Sequence, residues 1–229
     1  MSVGSSLREP PWRAGLRGAR ANLGPGLVLQ ATALTIVLAY YRHEPTRAVL
    51  EQLRGWRTQA GFVFSILSTA IFGGVLPFLY LRLNPATRPA HGWHEGAALT
   101  LFWGYKGLEI DILYRVLAHF VGSGHDPATI ATKAFLDQLV YCPLFAVPLT
   151  VLFYRWCSSG FDLGGLRDDF LEDRWYARTV LPTMITNIGV WLPAVAIIYA
   201  LPTPLQLPLQ NLVLCFFTLL LAHLNRPRR

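Results

Sequence analysis

Six long apolar stretches, separated by short arginine-bearing connections, constrain this chain more than any other feature. They run over about 24–41, 60–82, 97–121, 133–156, 179–200 and 205–224. A helix rises ~1.5 Å per residue, so about 20 apolar residues cross a hydrocarbon core of ~30 Å. In lipid the backbone must satisfy its own hydrogen bonds, which makes each stretch a helix. The expected fold is an all-α integral membrane protein, a bundle of about six transmembrane helices, or five if the first does not span. Only 14% of the 229 residues are charged and 53% are hydrophobic, whereas soluble domains are about 25% charged.

The length fits one membrane domain over 1–229. Residues 1–22 form a basic flank with four arginines and one acid. It reads as a cytoplasmic flank or a mitochondrial transit segment. The run at 24–41 has no clear small-x-small cleavage site at its end and reads as a signal anchor and first span. Residues 42–58 place Val49, Leu50, Leu53 and Trp56 at helical spacing among Arg42, Arg47, Arg54 and Arg57. That pattern predicts a helix lying along the membrane surface. A second surface helix is expected within 158–178.

The net charge of +7 comes from 18 arginines and two lysines against 13 acids. These cations do not gather into a stripe with aromatic platforms, so nucleic acid is excluded as a partner. They orient the chain instead. With the N-terminus inside, the inner loops hold Arg8, Arg13, Arg17, Arg20, Arg82, Arg88, Arg155, Arg167, Arg174, Arg178, Arg226, Arg228 and Arg229. The outer side holds Arg42, Arg47, Arg54, Arg57 and Lys133. Thirteen against five obeys the positive-inside rule. The arginine bias, the short loops and the first span favour a bacterial inner membrane. A mitochondrial inner membrane is the alternative.

The third stretch departs from the rest by carrying Lys106, Glu109, Asp111 and Arg115 in its interior. A charge at bilayer depth costs ~2.5–3.5 kcal/mol on insertion scales, so four on one helix need partners or water. Asp111 and Arg115 stand at i,i+4 and can pair, with His119 continuing that face. Lys106 and Glu109 stand at i,i+3 on another face. Two readings follow. The charges line an aqueous path or solute site, or they pair within the helix and fix packing. Lys133 and Asp137 repeat the i,i+4 spacing at the start of the fourth stretch, beside Gln138, and Asp137 could instead meet Arg115. Asn187 and Trp191 lie one turn apart in the fifth. A lone Asn in an apolar helix more often bonds a neighbouring helix than a ligand. Pro77, Pro143, Pro148 and the four prolines within 193–208 predict bent helices, and Gly73-Gly74 predicts a close helix contact.

No metal, cofactor or enzyme activity is expected. His91-Gly-Trp-His94-Glu95 has histidines at i,i+3, whereas a zinc helix needs i,i+4 with Glu beside the first His. Phosphate-loop, dinucleotide and nucleophile-elbow motifs are absent from the sequence. Cys142, Cys157 and Cys215 share no metal-like spacing and read as small buried hydrophobes.

From the third stretch onward the order of features resembles one family. Gly104, Tyr114-Arg115-Val-Leu117 and Phe120-Val-Gly122 are similar to a G…Y-[RK]-x-L stretch. Lys133-Ala-Phe-Leu-Asp137-Gln138-Leu-Val-Tyr-Cys-Pro143 is similar to K-x-x-x-D-Q-x-x-x-x-P. Trp175, Ile185-Thr186-Asn187, Trp191-Leu-Pro193 and Leu201-Pro202 follow in order. Together, over about 95–222, they resemble the Mpv-seventeen / peroxisomal membrane protein (PMP-twenty-two) type family, as a distant member. Against that pattern the segment at 24–41 is an extra first span, with a family-like bundle over 60–224. Ser68 to Gly73 lacks the family's G-D-x-x-x-Q. Ala196 and Tyr199 stand where its Gln and Asn would be, Gln206 replaces an Arg, and Phe217 replaces a late Trp. The resemblance implies a small membrane protein of channel-like or membrane-homeostasis type.

Combining the two, Lys106, Glu109, Asp111, Tyr114, Arg115, Asp137, Gln138, Asn187 and Trp191 are the candidate residues of a polar path or of helix packing. The function expected is a weakly selective pore for small solutes or ions, since selective pores favour a ring of one sign. The alternative is a non-transporting structural or assembly protein. Membrane lipids and a second copy of the chain are the partners this reading admits.

Overall fold

The computed structural model describes residues 10–85, 87–171 and 174–224. Among them every regular element is helical. In chain order these are α1 (Pro11–Ala21), α2 (Leu23–Arg42), α3 (Glu44–Ala60), α4 (Phe62–Thr69), α5 (Leu76–Leu83), α6 (Trp93–Phe120), α7 (Pro127–Phe135), α8 (Val147–Ser158), α9 (Leu163–Leu171), α10 (Leu181–Tyr199) and α11 (Thr203–Leu224). A short 3-10 turn at Arg88–Ala90 precedes α6.

Among the described residues five helices are long and apolar enough to cross a membrane: Leu23–Arg42, Phe62–Leu83, Pro127–Ser158, Tyr176–Tyr199 and Thr203–Leu220. The first stretch is one of them. The sixth long helix, α6, has 28 residues, about 42 Å of length, and is set apart by its interior charges. The chain is thus an all-α multi-pass membrane protein. Its surface agrees. Leu27, Val28, Leu101, Phe120, Phe145 and Phe216 face outward, while Lys106, Asp111, Lys133, Asp137, Gln206 and Asn211 are buried. Apolar outside and polar inside is the pattern expected of helices whose solvent is lipid.

Three spans contain a π-helical segment, and each is placed by a proline. Ala70–Val75 joins α4 to α5 and lies just before Pro77. Leu136–Ala146 joins α7 to α8 and contains Pro143. Tyr176–Val180 runs into α10 just before Pro182. A proline has no N–H for the carbonyl four residues back, and its ring crowds that carbonyl. A wider turn relieves the crowding and keeps the helix continuous across the span.

Packing sorts the chain into two compact units: Met1–Leu23 with Gln138–Trp191, and Gly24–Asp137 with Leu192–Arg229. In the first, α1 gives form to the basic flank. Gly15 lets α1 approach Ile185, where an added Cβ would lie 2.7 Å away, and Thr186 Oγ1 donates to the Gly15 carbonyl at 3.1 Å. Cys142, Val147 and Val180 form a small core with Trp175 and Met184 around it. Arg8, Arg226, Arg228 and Arg229, counted in the charge balance, lie outside the described residues.

In the second unit, α6 runs antiparallel to the α4–α5 span at very close range. A Cβ on Gly107 would overlap the Ser65 carbonyl oxygen, one on Gly74 would sit 2.9 Å from Thr100 Cα, and one on Gly96 2.5 Å from the Phe78 ring. Gly73 admits the Trp103 ring in the same way, at 2.7 Å. Glycine at these places lets two backbones meet. Helix α11 packs against α3, α4, α5 and α6 and is buried mainly over 205–215. Helix α3 faces the bundle with Leu50, Leu53 and Arg57, while Val49 and Trp56 point outward. The buried Arg57 thus joins Leu50 and Leu53 on the face turned to the bundle.

Candidate polar site

Asp111 is fully buried in the second unit, so its carboxylate must be matched by neighbours. Arg115, one turn along α6, donates from Nε at 3.0 Å and from Nη2 at 3.4 Å. This is the local pair that the spacing predicts. Two further partners come from elsewhere in the chain. Arg57 Nη2 on α3 donates at 2.5 Å and Ser65 Oγ on α4 donates at 2.5 Å. One carboxylate thus ties three helices together.

The two arginines differ in environment. Arg57 is buried, and its Nη1 also donates to the Thr203 carbonyl at the start of α11, at 3.3 Å. Its Nε is buried with no hydrogen-bond partner among the described residues. Burial pushes the Arg57 guanidinium below its ordinary pKa, and the charge of Asp111 opposes that shift. Arg115 is half exposed, with its guanidinium 4.6 Å from the centre of the Phe62 ring. Ser65 and Thr203 lie within the first turn or so of α4 and α11. The cluster therefore sits near one end of these helices.

Deeper along α6, Lys106 Nζ donates to Glu109 Oε1 at 2.8 Å, the second pair expected from spacing. Thr69 Oγ1 donates to Asn211 Oδ1 at 2.9 Å, and Asn211 Nδ2 donates to Ser68 Oγ at 3.0 Å. The Tyr114 hydroxyl donates to Gln210, and its ring meets Tyr199 edge to face. The Tyr199 hydroxyl donates to Asp137 at 2.6 Å, and the Lys133 ammonium lies 5.9 Å from the centre of the same ring. Lys133 and Asp137 are both buried. His119 packs edge-on against Phe120.

Asn187 and Gln138 belong to the first unit. Asn187 Nδ2 donates to Gln138 Oε1 at 3.4 Å, and both approach Cys142 Sγ. This is the helix-to-helix role expected of a lone Asn. Trp191, one turn on, is partly buried. His91, in the connection before α6, pairs at 3.0 Å with Glu95 in the first turn of that helix. Among the described residues no three His, Cys, Asp or Glu side chains gather as a metal site would require.

Arg57, Ser65, Ser68, Thr69, Gln206, Gln210 and Asn211 are not among the candidate polar-path or helix-packing residues that the sequence suggests. A signal existed for some of them. Arg57 follows Leu50 by seven and Leu53 by four, which places it on their face. Gln206, Gln210 and Asn211 are three amides within one apolar span, where polar side chains face the bundle interior. No family model matches this chain, and no curated protein or solved structure matches it.

Proposed function

We propose that this multi-pass protein is of channel-like or membrane-homeostasis type, with a weakly selective path for small solutes or ions through the polar interior of its second unit. One observation carries the reading: two arginines share the single buried carboxylate of Asp111. Fixing helices needs only one cation per carboxylate. The second, Arg115, is half exposed, so it is able to leave Asp111 and meet a solute. With Asp111 bonded on all sides, the path is closed. Opening it means separating α3 or α4 from α6 at this cluster. The mixture of signs along Lys106, Glu109, Asp111, Arg115, Lys133 and Asp137 suits weak selectivity.

A second reading is a non-transporting structural protein. It is favoured by the saturation of Asp111, which accepts from Arg57, Arg115 and Ser65 and has no exposed surface. Buried charges satisfied in this way hold packing.

The family resemblance on Lys133, Asp137, Gln138 and Pro143 supports either reading, and both take α6 as a proposed sixth span. The bacterial inner membrane remains the proposed location, from the arginine bias and the first span. Reconstitution in liposomes separates the readings. Efflux of small solutes from wild type, changed in the well-folded Asp111→Asn/Arg115→Gln variant, supports the path. Tight liposomes with folded wild type in several lipids would leave the structural reading.

A further inference from the structure

The Asp111 cluster has a surplus of one positive charge, since Arg57 and Arg115 face one carboxylate. We infer that it is an anion site, built to take a small monovalent anion beside or in place of Asp111, and that it gives the protein a preference for anions over cations.

Four observations support this. First, adding one monovalent anion neutralises the cluster, whereas a cation would raise its charge to plus two. Second, Arg57 holds a buried Nε–H with no hydrogen-bond partner among the described residues. Such a donor carries a desolvation penalty that an anion would remove. Third, the cluster lies beside the first turns of α4 and α11. The peptide dipoles at a helix start favour negative charge. Fourth, one of the two guanidinium groups is reachable. Arg115 is half exposed while Asp111 is enclosed, so an incoming anion meets a guanidinium first.

Size follows from the same geometry. Ser65, Thr203 and Asp111 crowd the Arg57 end of the cluster closely, with Asp111 accepting from Arg57 and from Ser65 at 2.5 Å each. A small ion such as chloride or nitrate therefore needs less rearrangement of these contacts than a bulky organic acid. A doubly charged phosphate would overshoot the single surplus charge.

The transport consequence rests on the path reading, but binding does not, so two measurements are made on the full chain. In planar bilayers with a potassium chloride gradient, wild type should show a severalfold anion preference from its reversal potential. Arg115→Gln should abolish it and Arg115→Lys should restore it. In detergent, potassium nitrate should raise the melting temperature above that in potassium gluconate at equal ionic strength, and Arg115→Gln should remove the difference. Conductance without anion preference, or with a preference indifferent to Arg115, would overturn the inference and leave the path reading intact. Silent bilayers with an Arg115-dependent nitrate shift would reject the path and keep the site. Silent bilayers and equal melting in both salts would reject both.

Discussion

Arg57 and Asp111 stand 54 residues apart in the chain and 2.5 Å apart in space. The contact fastens an amphipathic helix outside the five apolar spans to the charged helix α6. Together with the Ser65 hydrogen bond, it turns an intrahelical Asp111–Arg115 pair into a junction of α3, α4 and α6. A buried pair of this kind is sensitive to losing one member and far less sensitive to losing both.

Asp111→Asn should therefore lower stability by about 3–5 kcal/mol, because it strands the buried Arg57 charge. Replacing the pair together, Arg57→Met with Asp111→Leu, should recover most of that loss. Thermal unfolding of the single and double variants in one detergent checks this. Equal losses in both would mean that the pair does not behave as a coupled unit.

The approach of α6 to α4 leaves no room for a methyl at Gly107, where a Cβ would overlap the Ser65 carbonyl oxygen. Gly107→Ala should cost about 1–3 kcal/mol through overpacking. Gly55, in the interior of α3, is the opposite case, since a Cβ added there would meet no heavy atom within 4 Å. Gly55→Ala should stabilise by about 0.5–1 kcal/mol, because alanine loses less conformational freedom in a helix. Melting temperatures moving in opposite directions are the expected result.

Asp126 caps α7, accepting from the Ala128 and Thr129 amides at 3.1 and 3.0 Å. Its hydrogen bonds, that with the Thr129 side chain foremost, hold its carboxyl below the ordinary aspartate value. A depressed folded-state pKa gives a contribution that is complete above the unfolded value and is lost as pH falls through the folded one. The wild-type and Asp126→Ala melting temperatures should thus differ at neutral pH and converge in acid. Asp126→Asn should keep part of the cap at both ends of the range.

The sequence makes local relationships legible. Asp111 with Arg115 and Lys106 with Glu109 are three or four residues apart, so helical geometry alone pairs them. Apolar runs likewise locate the spans, because lipid permits little else there. Arg57, Ser65 and Asn211 are different. Their partners lie 54, 46 and 142 residues away, and no periodicity carries such a distance. The face of α3 shows the difficulty. Val49 and Trp56 share the apolar spacing of Leu50 and Leu53, yet in a membrane protein an apolar side chain gains little by facing inward, so spacing does not tell which of them meet the bundle. The polar residue on the stripe, Arg57, is the one that marks the buried face. The π-helical segments have a proline signal at 77, 143 and 182, but choosing between a kink and a widened turn depends on the helices packed alongside.

Single-channel recording of purified wild type in planar bilayers tests the central claim most directly. Discrete openings with weak selectivity are predicted, altered in Arg115→Gln and little changed in Gly55→Ala. Persistent silence from folded protein, across lipid compositions and voltages, would contradict the path and make the Asp111 junction a device of packing alone.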